Sequence, residues 1–551
     1  MGSLKCLERG TSLFVPLALL IGAAAAPAAP AGRQVTLADY ERHVATLASD
    51  EFEGRKPGTA GEPKTIAYLT AEFQKLGLAP GNGESYVQSV PIVEITAASD
   101  ATLRLGARDL KFPDEAVFFT KRVVPQVSVV DSPLVFVGYG VVAPEYGWND
   151  YAGIDMRGKT AVILINDPGN ATGDPKLFGG RAMTYYGRWT YKFEEAARQG
   201  AAAAIIIHET VPAAYPWETV QNSWTGPQLD KASPDDNAGR VAVEGWITEK
   251  EGDTLLQAAG LSYAEAKRRA DQQGFRPIPL GVTASAQLRN SVRRTQSANV
   301  IAKIPGARRP GEYVFYMAHW DHFGRAIGRS GDTIFNGALD NATGTAGLLA
   351  IAAAYRRAPR PPDRTVVFLA VTGEEQGLLG SAYYAANPIY PLAQTVAALN
   401  MDAIDFGGPT RDITVIGYGA SELERYLAVA AKRQQRVLKP DPNPERGFFY
   451  RSDHFNFSKV GVPSLYIKLG IDDRDYGAAW GQKRLDDYIA RDYHKPSDEY
   501  RAGMDLRGGL ENLQLLYEVG SVLANERTFP NWYPQNEFRA IRDRSRAVMA
   551  P

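Results

Sequence analysis

From about residue 296 onward, this chain of 551 residues alternates short apolar runs with amphipathic segments. EYVFYMAHW, RTVVFLAVTG, TVAALNMDAID, DITVIGYG and VPSLYIKLG read as strands, and TGTAGLLAIAAAYRRA and SELERYLAVAAKRQQR read as helices. Such alternation points to an α/β fold, a mixed and mostly parallel sheet flanked by helices. Parallel neighbours need a long crossover, and the crossover covers a face of the sheet. Open sheets of this type place their sites beyond the carboxyl ends of the strands. The residues at those ends therefore carry most of the functional argument.

Five metal-ligand types occur in order through this half: His319 in AHWDHFG, Asp340 in ALDNATG, Glu375 in TGEEQGLLGS, Asp402 in LNMDAI and His494 in DYHKPSDE. Two imidazoles and three carboxylates suit two divalent cations when one carboxylate bridges them and a position stays open for water. Glu374 stands beside a ligand and is free to act as a base on that water. Asp321 is placed to accept the second ring N–H of His319 and so fix its tautomer. His322 reads as structural.

Taken singly, each has an ordinary alternative. GEEQG could cap a surface helix, Asp340 could cap the Ala-rich helix after it, Asp402 could be a strand-end turn residue, and His494 a loop residue. Their joint occurrence in one α/β segment favours metal-assisted hydrolysis. Other hydrolytic chemistries lack support. His208–Glu209 has no second His four residues on, no GxSxG elbow is present, and the single cysteine, Cys6, precedes the apolar N-terminal run.

That N-terminal run reads as an export signal over residues 1–26. Lys5 and Arg9 precede SLFVPLALLIGAAAA, and the small residues of APAAPAG suit cleavage rather than anchoring. The expected location is periplasmic or secreted, with no disulfides and no stable membrane insertion after cleavage. A formal charge of −1 gives no electrostatic case for nucleic acid or an anionic membrane.

The ordered set HWDH, LDNATG, TGEEQGLLGS, NMDAID, YRSDHFNF and YHKPSD resembles the co-catalytic two-zinc metallopeptidases, the family of aminopeptidases S and Y, whose relatives include glutamate carboxypeptidases. SDEFEGRKPGTAG and QKLGLAP resemble that family's opening helices. The β-rich block VFVGYGVVAPEYGWNDYAGIDMRGKTAVIL resembles an inserted protease-associated domain. The resemblance implies a peptidase domain formed by 27–130 and 291–525, an insert at 131–290 and a tail at 526–551. It also implies that His319 and Asp402 hold one zinc, Glu375 and His494 the other, and Asp340 bridges them, with Glu374 as general base. Tyr493 matches an oxyanion-stabilising tyrosine and Arg451 a substrate-orienting position of some members. The bond Asp340–Asn341 is expected to be cis, and Asn341 stands where the family usually has a second Asp. The implied activity is aminopeptidase action on peptides with a free N-terminus. Alternatives are a glutamate-carboxypeptidase-like exopeptidase, a glutaminyl-cyclase-like acyltransferase, or a non-catalytic binding protein on the same scaffold.

Overall fold

The computed structural model describes residues 35–326, 330–534 and 536–547; the expected signal segment and Cys6 lie outside the described residues. Two sheets share one strand, Ile278–Ile304. Its second half pairs antiparallel with Val87–Ala97 on one side and with Arg364–Val371 on the other. The sheet then continues in parallel through Arg309–His319, Thr395–Asn400 and Ser464–Leu469. Asp412–Ile416 follows antiparallel, and Val437–Pro440 closes that edge. The central strands are apolar on both faces. All eight residues of Arg364–Val371 are buried, as in parallel sheets covered by helices on either side.

Helix Thr343–Arg357 covers one of those faces and is buried from Thr343 to Tyr355, and Arg507–Asn525 packs beside it. Leu37–Leu47 lies against the first of these helices. Because the central strands run parallel, His319, Val371 and Asn400 end at one edge. That common edge gathers the candidate ligands.

The first half of Ile278–Ile304 belongs to a second sheet, where it pairs with Gln126–Phe136 and Thr102–Leu105. Gln126–Phe136, Thr160–Leu164, Ala203–His208 and Val243–Thr248 run parallel there, with Ala116–Phe119 antiparallel at the far side. These strands pack round apolar clusters of their own, reaching from Leu103 to Leu288. The second lobe thus starts near Thr102 rather than at 131. Residue 131, the expected start of the insert, falls inside Gln126–Phe136, and the short strands before it pair with the second sheet. The Arg-rich tail is helical over Arg539–Ala547. Its Arg542 is buried and donates to the carbonyls of Leu392 and Thr395.

Candidate metal centre

The strand edge brings all five expected ligands together. His319 is the last residue of its strand and is wholly buried. Its Nε2 lies 3.3 Å from Asp340 Oδ1, 3.6 Å from Asp402 Oδ1 and 4.0 Å from Glu374 Oε2. His494 Nε2 lies 3.4 Å from Asp340 Oδ2 and 3.1 Å from Glu375 Oε2. Asp340 therefore faces both imidazoles, one oxygen to each, which is the position of a bridging carboxylate. His319 Nε2 is buried and has no hydrogen-bond partner. An unpartnered imidazole nitrogen among carboxylate oxygens is a donor set that a divalent cation satisfies.

The charge balance points the same way. Burial alone would lower the two histidines. The Glu374, Asp340 and Asp402 carboxylates nevertheless hold His319 well above its usual range, and Glu375 and Asp340 bring His494 up to about 9. Burial, reinforced by Glu375 and Asp402, pushes Glu374 well above the ordinary carboxylate range. Carboxylates outnumber imidazoles here, so the cluster is one that cations stabilise.

The supports of the ligands differ from expectation at one point. Asp321 was expected to accept the second ring N–H of His319 through its carboxylate. The nearer acceptor is instead its main-chain carbonyl, 3.2 Å from His319 Nδ1, with the carboxylate at 3.9 Å. That carboxylate accepts the backbone N–H groups of Glu374 at 3.1 Å and Glu375 at 3.4 Å. Asp321 thus fixes the pair of glutamates at the end of the neighbouring strand. Two N–H groups converging on it make that a stronger use of its charge than a tilted imidazole.

Several further residues support the ligands, His322 among them in the structural role expected of it. His322 Nδ1 lies 2.5 Å from Glu375 Oε1, and its ring meets that of His494 edge-on with centroids 6.0 Å apart. Asp498 accepts the N–H groups of Leu339 and Asp340. Buried Arg55 donates to the carbonyls of Trp320, Asn336 and Gly337, tying the His319 strand end to the Asp340 loop. HWDH contains His322, YHKPSD contains Asp498 and SDEFEGRKPGTAG contains Arg55, but no spacing within these motifs showed which backbone groups the side chains would hold. The bond Asp340–Asn341 is cis. Asn341 accepts from Gly344 and Ala403 and donates to Met401, so it braces the backbone next to the bridging residue.

Two spaces meet at Glu374, Arg451 and Tyr493. One is a cleft of about 320 Å³ between the lobes, which also reaches Glu375 and His494. The other, of about 40 Å³, lies against Asp340 and Asp402 and is walled by Phe448, Tyr466, Leu485, Tyr488 and Ile489. The ring of Tyr493 stacks on that of His494 at 3.8 Å, and burial, then Asp340, keeps its phenol protonated well above the usual range. Arg451 donates to the carbonyl of Ala213 and lies over the Tyr215 ring. From the second lobe Arg188 lines the cleft, 9% exposed, with Nε buried and unpartnered.

Comparison with known proteins agrees with this geometry. Residues 299–514 match the model of Peptidase family M28. Aminopeptidase NAALADL1 of Mus musculus is 30% identical over 145 residues, 25% of this chain and 18% of that protein. A glutamate carboxypeptidase 2 homolog of Caenorhabditis elegans is 26% identical over 200 residues, 35% of this chain and 24% of its own length. The chain thus matches about a fifth of the length of these curated relatives. Among solved structures, an aminopeptidase from Aneurinibacillus sp. strain AM-1 shares the fold, with a TM-score of 0.53 at 21% identity over 90% of this chain and 96% of that one. All the residues expected from the sequence to act at the site lie within 299–514, the segment that is similar to Peptidase family M28.

Proposed function

We propose that the protein is a zinc-dependent aminopeptidase that removes the first residue of peptides. The carrying observation is the unequal pair of spaces at Glu374. The space of about 40 Å³ beside Asp340 and Asp402 is small and walled by Phe448, Leu485 and Ile489, which suits the first side chain of a peptide. The cleft of about 320 Å³ lies on the other side of Glu374 for the chain that follows. A free α-amine would then sit among the carboxylates, which favours exopeptidase over internal cleavage.

Two divalent cations, held by His319, Asp340 and Asp402 and by Asp340, Glu375 and His494, would supply polarisation of the scissile carbonyl and a lowered pKa for water. Glu374 takes the proton of the attacking water and delivers it to the leaving amine as the C–N bond breaks and the new C–O bond forms. Its raised proton affinity suits both transfers. Tyr493 retains its proton and can donate a hydrogen bond to the oxygen that gains charge. Arg451 borders both spaces and orients the peptide. The second lobe, read as a protease-associated domain, walls the cleft. We place the protein in the periplasm or medium after removal of residues 1–26. No helix among the described residues is long and apolar enough to cross a membrane.

A glutamate-carboxypeptidase-like reading has one observation in its favour. Lys121 and Arg240 of the cleft pair with Asp230 and Glu244, but Arg188 and Arg451 have no carboxylate partner among the described residues. Two unpaired guanidiniums suit a substrate carboxylate. The deciding experiment compares a leucyl peptide with its N-acetylated twin, using zinc-loaded protein. Cleavage of the free peptide alone supports the aminopeptidase. Equal cleavage of both removes the α-amine from recognition and moves the carboxypeptidase reading forward.

A further inference from the structure

We infer that Ser223, in the second lobe, is the positioning residue for His494, so that one metal position is completed only when the two lobes are docked. The inference rests on the assignment of His494 as a ligand.

Three of the other four ligands take their supports from the peptidase lobe: His319 from the Asp321 carbonyl, Asp340 from Asp498, and Glu375 from His322 and Asp321. His494 differs. Helix Trp217–Trp224 of the second lobe reaches across the cleft to it. Ser223 Oγ lies 3.2 Å from His494 Nδ1, and Asn222 Nδ2 donates to the His494 carbonyl at 3.1 Å. Glu218, in the first turn of the same helix, pairs with Lys495 at 2.6 Å. The helix thus grips the ligand's ring, its carbonyl and the following side chain.

His494 needs such a grip. It sits in a loop at φ +58°, a left-handed conformation that a β-carbon makes unfavourable by roughly 1–2 kcal/mol. Its ring is stacked on Tyr493 on one side, which sets the plane but not the tautomer. With Nε2 turned toward Asp340 and Glu375, a cation requires the proton on Nδ1. Ser223 Oγ is the acceptor in reach of that N–H. Hydrogen bonds of this kind orient a ligand and change metal affinity by about 10–100-fold when removed. Linkage then follows: metal bound at Glu375 and His494 holds the helix against the peptidase lobe, and a displaced helix loosens the metal.

The test is zinc titration of the apo protein against a chromogenic chelator, with Co²⁺ absorption as a second readout. For Ser223→Ala we expect one of two zinc affinities to weaken about 10–100-fold, the other to stay within about twofold, and the cobalt bands of the weakened position to shift. Ser223→Thr keeps the hydroxyl and should restore both readouts. Arg268→Ala removes an exposed ion pair with Glu265 elsewhere in the second lobe and should leave the affinities unchanged. Wild-type affinities and spectrum in Ser223→Ala, beside a weakened His494→Ala, would overturn the role of Ser223 while leaving the ligand assignment intact. Should His494→Ala also keep both affinities, the inference falls with the ligand assignment beneath it.

Discussion

The floor of the cleft and its far wall hold charge in opposite senses. On the floor, Asp340, Glu374, Glu375 and Asp402 crowd round His319 and His494 at the ends of parallel strands, and negative charge is in excess. On the wall, Arg188 is carried by the second lobe with no carboxylate partner among the described residues, and Arg451 stands opposite with none among them either. Burial and the Arg451 charge bring Arg188 down to about 10, so it stays protonated at neutral pH. Neither surface is balanced alone. The unpaired sign on each names what it accepts: cations on the floor, a peptide's anionic or polar groups on the wall.

The sharpest way to test that division is to remove one function from each side. Glu374→Gln keeps the shape of the floor but takes away the base, and we expect kcat to fall ~10²–10⁴-fold with zinc stoichiometry, read by elemental analysis, unchanged. A loss of zinc in that variant would place Glu374 among the ligands instead. Stripping the floor of cations by chelation should lower unfolding stability by about 3 kcal/mol for each cation lost, relative to protein held at a hundredfold excess of zinc over its Kd. Thermal melts with and without chelator measure this, and identical melts would show that the floor tolerates its own charge.

The wall lobe has a pH dependence that should be independent of the floor. Burial among Tyr215, Trp217 and Trp246 pulls His208 down to about 4. The unfolded chain then binds more protons than the folded one between about pH 6.5 and 4, so stability is present above that window and is lost as pH falls through it. His208 contributes at most about 3 kcal/mol to that loss. Urea unfolding of His208→Gln at pH 7 and pH 4 should show a smaller drop than wild type; an equal drop would assign acid lability to other groups. The smallest expected effect is on the wall's charge. Arg188→Ala should raise KM for a leucyl dipeptide with a free carboxylate about tenfold, leave its C-terminal amide nearly unaffected, and spare kcat. Equal effects on both peptides would remove the carboxylate from the role of Arg188.

The floor was legible in the sequence and the wall was not, for a physical reason. His319, Glu375 and Asp402 lie at or just past strand ends, and a hydrophobic strand running into a charged residue is a local signal. Asp340 and His494 added the right donor types in a fixed order. The sheet itself was readable because its central strands are apolar on both faces. Ser223 and Arg188, by contrast, act from more than a hundred residues upstream through ordinary side chains, and nothing near them marks the cleft. The redirected carboxylate of Asp321 was equally hidden, since which of two nearby partners it takes depends on how adjacent strands align. The lobe boundary was missed because TLRL and AVFF are too short to signal which sheet they join.

The strand Ile278–Ile304 has a further consequence. It leaves one sheet at Arg289, opposite Gln126, and enters the other at Asn290, opposite Ala97, without a connecting loop. A strand laddered along both halves acts as a girder, and spreading the lobes would mean unzipping a sheet. The gross spacing of the lobes is therefore set when the chain folds, which leaves the metal-linked grip of helix Trp217–Trp224 on His494 as the local adjustment. A slot of that gauge admits loose chain ends and turns away compact surfaces.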